Sequence, residues 1–275
     1  MRIRRQLEQQ QREWAQRRGL ELTGGSEEAP LARVARLEDN FFTPLDERTQ
    51  LQLLHGAGGE LTAEGGGHLY SLASSQALCL NVLAPWREQP AAVVEALGLE
   101  AEARYAWEFD ARLRFSPKRT ETAPVDVLLK PQTNGGTAAV IAMEAKFAEA
   151  YDGKPRRALG HYYRTRKDLI AGWTHMARLV RDEAEKRFRY FDLSQTMRQF
   201  MALRQNFGRS RFVLAYLWYE APGREGREFA VELDEIRVAA RQDGIAFLPV
   251  AWGELVARLP GDAQWRAYLK ERYGL

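Results

Sequence analysis

The chain has 275 residues, 45% of them apolar and 11% aromatic, which is enough for one large α/β domain with a real core, or a domain plus an extension, and excludes a disordered polymer. It has no run of about 18 apolar residues that would cross a bilayer. The opening Met1-Arg2-Ile3-Arg4-Arg5 is not that expected of a signal peptide, and the single cysteine, Cys79, excludes an internal disulfide framework and any cysteine-based zinc site. A reducing cytoplasm is the expected compartment.

Residues 1–18 read as a polar helix with six arginines, two glutamates and almost no apolar stripe, either a frayed arm or a helix that contacts a partner or DNA. Residues 23–30 read as a linker, so that 1–38 is expected to be an arm and linker and 39–275 the main domain. Thr43 as a cap, Pro44 at the first helical position and Asp46 in the first turn predict a helix that stops near Gly56. The glycine-rich stretch 56–67 lacks the spacing of a phosphate loop. A buried helix is predicted over 70–84, ended by Pro85, and a short one over 90–97, stopped by Gly98. From Ala101 to Phe115 every odd position is apolar, which is the period of a strand. Further strands are predicted over 125–130 and 138–147, giving a three-stranded meander. Helices should fill 158–207, and the apolar run 211–219 should be a strand covered on both faces. A helix over 230–241, a strand over 245–250 and two terminal helices complete the chain.

The net charge is only +3, but eleven Lys/Arg against four Asp/Glu lie between Lys154 and Arg189, with Tyr162, Tyr163 and Trp173 interleaved. Basic side chains displace counterions from phosphates, so Arg156, Arg157, Arg164, Arg166 and Lys167 are candidate nucleic-acid contacts; a solvated helix face is the bland reading.

The chemistry should sit where charges end apolar strands. Glu144 and Lys146 are two apart and share a face of their strand. Asp126, on the preceding strand, reaches that face if the register matches, bringing the two carboxylates within about 6 Å. Buried charges need partners or a cation, and hard oxygen ligands suit Mg²⁺. Glu149, Gln195, Gln199, Ser75 and Asn81 are candidates for a supporting layer, beside their plainer roles as caps and polar faces. The four histidines have no ligand spacing.

Pro124-Val125-Asp126, seventeen residues, then Glu144-Ala145-Lys146 resembles the motif of the PD-(D/E)XK, or restriction-endonuclease-like, nucleases. Gly58-Gly59-Glu60-Leu61, Ser74 to Asn81 and Lys146 to Tyr151 extend the resemblance, although Val125 separates the Pro and Asp. It implies an α/β fold with a mixed central sheet in α-β-β-β-α-β order, flanked by helices. It also implies catalytic Asp126, Glu144 and Lys146, and Mg²⁺ (with Mn²⁺ as a substitute) on Asp126, Glu144 and the Ala145 carbonyl. Relatives place a further acid on an early helix, which makes Glu60 a candidate beside a capping or surface role. The implied activity is endonucleolytic hydrolysis of DNA, with RNA and a homodimer left open and no membrane partner. A silent DNA-binding member of the same fold, or a partner-binding scaffold in a defence or repair system, would keep the fold without the converging charges.

Overall fold

The computed structural model describes residues 2–26, 31–56, 59–62, 67–114, 122–132, 138–153, 159, 170–182, 188–208 and 211–275. The alternating and continuous apolar runs become a five-stranded sheet: β3 (Tyr105–Arg114), β4 (Thr122–Pro131), β5 (Val140–Lys146), β6 (Phe212–Trp218) and β7 (Ala246–Ala251), in that spatial order. β3, β4 and β5 are the expected antiparallel meander, while β5, β6 and β7 run parallel. A two-stranded ribbon, β1 (Leu22–Thr23) and β2 (Arg33–Val34), flanks the stretch 23–30 expected to be a linker.

On β5, residues Val140 to Ala145 are all buried, because helices cover both faces of the sheet. On one side α6 (Leu193–Phe207) reaches Glu144, and α7 (Arg224–Gln242) brings Phe229 against Tyr216 and Trp218. On the other, Phe147 meets Tyr273 of α9 (Ala263–Tyr273), and α9 is tied to α3 (Ser75–Leu83) by Asn81 Nδ2 donating to Tyr273 Oη at 3.0 Å. The α-β-β-β-α-β order and the helix-flanked mixed sheet agree with the sequence reading. Among the described residues no helix is long and apolar enough to cross a membrane.

Several element boundaries differ. α2 is Glu47–His55 and starts at Asp46, not Thr43, because the Asp46 carboxylate accepts from both Thr49 N (2.9 Å) and Thr49 Oγ1 (2.8 Å). α3 starts at Ser74, whose Oγ accepts from Ala77 N at 3.1 Å; residues 68–70 form a separate 3-10 turn. α4 is Pro90–Ala96. Within the expected helical stretch 158–207, α5 (Thr174–Asp182) and α6 are separate helices. Two terminal helices follow the sheet, α8 (Trp252–Arg258) and α9.

The first helix, α1 (Arg2–Arg17), is not a frayed arm. Ile3, Leu7, Trp14 and Ala15 are buried, with the fully buried Gln11 between them. The stripe escapes notice in the sequence because its middle position is an amide. Gln11 Nε2 donates to Arg272 O at 2.6 Å and its Oε1 accepts from Arg272 Nε at 3.1 Å, so α1 docks on α9.

Candidate active site

β4 and β5 pair through Val127↔Met143, Leu128↔Ala142 and Leu129↔Ile141. Continued by one step, this register sets Asp126 across from Glu144 on the same face. Asp126 Oδ2 accepts from Ala145 N at 2.6 Å, which holds its carboxylate against β5 beside Glu144. Lys146 Nζ donates to Glu144 Oε1 at 2.5 Å and to Gln195 Oε1 at 3.0 Å. Gln195 Nε2 donates to the same Glu144 oxygen at 2.7 Å, and Gln199 Nε2 to the other at 2.5 Å. The two glutamines are four apart on α6 and so share its sheet-facing side. Asp192 caps that helix by accepting from Gln195 N at 2.8 Å, which fixes the turn that carries Gln195. The Lys146 carbonyl accepts from Trp252 Nε1 at 3.1 Å and Tyr219 N at 3.2 Å, so the end of β5 is pinned.

Asp126, Glu144, Lys146, Gln195 and Gln199 are therefore brought together. Glu149 joins them from the turn after β5, accepting from Phe147 N with both oxygens at 3.2 Å. Glu60 lies close enough to Glu144, Glu149 and Asp126 to feel their charges, and one of its oxygens, Oε2, is buried with no hydrogen-bond partner. Ser75 lines the cleft that Glu60 and Glu149 border. Asn81 is elsewhere: it donates to Asn40 O, Ala77 O and Tyr273 Oη and accepts from Phe42 N, a buried joint between helices. The five basic candidates, Arg156, Arg157, Arg164, Arg166 and Lys167, lie outside the described residues.

Two residues were not singled out from the sequence. Asp110 occupies the β3 position opposite Asp126, between the Phe109↔Val127 and Ala111↔Val125 pairs, and is buried with φ 48. Its carboxylate stands where a side chain at Gly56 would intrude, so the glycine ending α2 leaves room for it. Tyr216 lies opposite Glu144 in the parallel pair, and its buried hydroxyl has no partner. Asp110 sits in the polar half of an alternating strand, and Tyr216 in an apolar run; neither carries a local signal.

The electrostatics reflect this crowding. Burial, then the Glu144 charge, hold the Asp126 carboxyl well above the usual carboxylate range, against the pull of Lys146 and the Ala145 N–H. Burial first, then Asp110, Glu149 and Glu144, push Glu60 up to about 8. Burial opposes the Lys146 charge, but Glu144, Tyr216, Glu149 and Asp126 outweigh it and raise its pKa. One ammonium among several carboxylates leaves the site short of positive charge. Among the described residues no three His, Cys, Asp or Glu side chains already enclose a point as metal ligands. Mg²⁺ asks for less: one or two carboxylates, with water and phosphate completing its shell. The partnerless Glu60 oxygen and the elevated Asp126 and Glu60 fit a site that takes up such a cation.

The family model described as Restriction Endonuclease associating with ARP matches residues 8–274. The chain belongs to this family. No curated protein and no solved structure matches it. Membership in this restriction-endonuclease family agrees with the resemblance seen in the sequence and points to nuclease-type chemistry. The match extends from within α1 to α9, so the family pattern includes the helix pair that joins Gln11 to Arg272.

Proposed function

We propose that the chain is a Mg²⁺-dependent endonuclease that hydrolyses phosphodiester bonds in DNA, with Asp126, Glu144 and Lys146 at its centre. The observation that carries this reading is the convergence of these three side chains on one strand end, Asp126 on the Ala145 N–H and Lys146 on Glu144. Asp126, Glu144 and the Ala145 carbonyl would hold the cation, with Glu60 as a further acid. Bound there, Mg²⁺ would supply an activated water and neutralise charge on the phosphate. Gln195 bridges Glu144 and Lys146 and so keeps the ammonium at the site, where it can steady charge that develops on the phosphate oxygens. Gln199 holds the second Glu144 oxygen and, through Pro124 O at 2.9 Å, ties α6 to β4. The family's description speaks of association with ARP, which supports a protein partner as well.

Cleavage of supercoiled plasmid and of single-stranded DNA, with Mg²⁺ and with EDTA, tests the reading. Asp126→Asn and Glu144→Gln are expected to lower the rate by at least roughly a hundredfold, the scale on which one catalytic group matters. Lys146→Ala should lose cleavage but keep a Mg²⁺-induced rise in melting temperature. Cleavage that persists in EDTA, or a Glu144→Gln protein as active as the parent, would overturn it.

A further inference from the structure

A cleft of about 370 Å³ opens beside the acidic cluster. Glu8, Glu60 and Glu149 line it together with Arg4 of α1, Arg33 of β2 and His68, with Ser75 at the start of α3. The arrangement is built, not incidental. Leu69 N donates to Glu60 O at 3.1 Å and His68 N to Gly59 O at 3.3 Å, so the turn bearing His68 is stitched to the segment bearing Glu60. Gly67, at φ 117, makes this possible, since any Cβ there would strike the Glu60 carbonyl. Arg33 donates to Gly67 O, lies 5.9 Å over the Tyr70 ring and remains exposed on its outer side. Arg4 is held by Glu8 at 2.7 Å. Arg4 is thus neutralised by Glu8, and Arg33 and His68 share with the acids one space within the size range of small-ligand sites, ~300–1,000 Å³.

A nucleic-acid strand has a repeating negative charge, and a phosphate at Asp126 and Glu144 needs a cation there. The next phosphate along the strand has no such need and is best met by arginine or histidine. We infer that this cleft holds the DNA nucleotide next to the scissile bond, its phosphate on Arg33 and His68 and its sugar against Leu31 and Ala73. This inference rests on the nuclease reading above. It assigns a substrate-holding role to the segment before residue 39, which the sequence suggests is an arm and linker.

The test is equilibrium binding of a short fluorescent DNA, single- and double-stranded, to the Glu144→Gln protein in Ca²⁺ over a salt series. In that background Arg33→Ala with His68→Ala should weaken binding roughly tenfold, as expected for a lost charge-assisted contact, and lower the salt slope by about one. Because Arg33 also braces its turn, Leu31→Asp serves as a second variant. Leu31 is 42% exposed, so the change leaves the fold intact while placing a negative charge in the cleft, and it too should weaken binding at an unchanged melting temperature. Affinity and slope equal to the parent's in both variants would overturn the cleft assignment and leave the nuclease reading standing. A parent protein that neither binds nor cuts DNA would overturn both.

Discussion

A buried phenol without a hydrogen-bond partner costs about 1–3 kcal/mol, and Tyr216, 1% exposed, carries one beside Lys146 and Glu144. Tyr216→Phe is therefore expected to raise the unfolding free energy by about 1 kcal/mol; a lowered urea midpoint would show that the hydroxyl has a partner in solution. Glu60 makes the complementary case for pH. Its carboxyl titrates near 8 in the fold against an ordinary value of 4.5. Below the ordinary value both folded and unfolded chains hold the proton and Glu60 contributes nothing. Between the two values the unfolded chain ionises while the folded one does not, so stability falls as pH rises and the loss is complete above about 8. Urea titrations in EDTA at several pH values should show this fall, and Glu60→Gln should flatten it; an unchanged slope would assign the dependence to other groups. Asp126, Glu144 and Lys146 were legible in the sequence because charges interrupt strands that are otherwise apolar. Asp110 was not, since it stands at a polar position of an alternating strand and is buried against Gly56 at the end of α2, a contact that no local pattern records.

At the scale of elements, helix starts illustrate how local and tertiary signals divide the work. α5 has its first N–H groups met by a side chain from another helix's end: Asp243, just after α7, accepts from His175 N at 3.1 Å and Met176 N at 2.7 Å. Asp243→Ala should cost about 1–2 kcal/mol, the usual worth of a cap, and should speed amide exchange selectively in residues 174–182. Exchange that changes equally everywhere would point to a global effect instead. Such a cap cannot be read from the sequence around α5. The start of α2 shows the opposite difficulty, two adjacent local signals, Thr43-Pro44 and Asp46, of which the better-bonded one sets the helix. α7 begins at Arg224, well before the expected 230, because its polar first turn reads as loop while Gly223, at φ 91, supplies the entry. The strands were easier: strict alternation marked β3, an apolar run up to Met143 marked β5 and an unbroken one marked β6, although β4 extends to Thr122 beyond its apolar part.

For the whole molecule, the N- and C-terminal helices meet around one charge. Arg272 is fully buried, and its donors go to Gln11, Asn40, Tyr268 and Leu72, while its guanidinium lies 4.3 Å from the Trp14 ring centre. Leaving a buried charge without its partners costs about 3–5 kcal/mol. Removal of residues 2–17, which strips away Gln11 and Trp14, should accordingly lower the melting temperature sharply or abolish folding. A truncated protein that melts with the parent would show α1 to be an appendage after all. The same pairing has a temporal side. Gln11 and Arg272 are 261 positions apart, so at about 5–20 residues per second α1 leaves the ribosome on the order of tens of seconds before the residue it must dock on. Arg4 is not bound by that delay, since it pairs with Glu8 of its own helix and lies 3.9 Å from Asp152, which emerges far earlier than Arg272. A nascent chain therefore has β3, β4 and β5 in full well before the joint between α1 and α9 can close, and that joint is made only as Arg272 emerges.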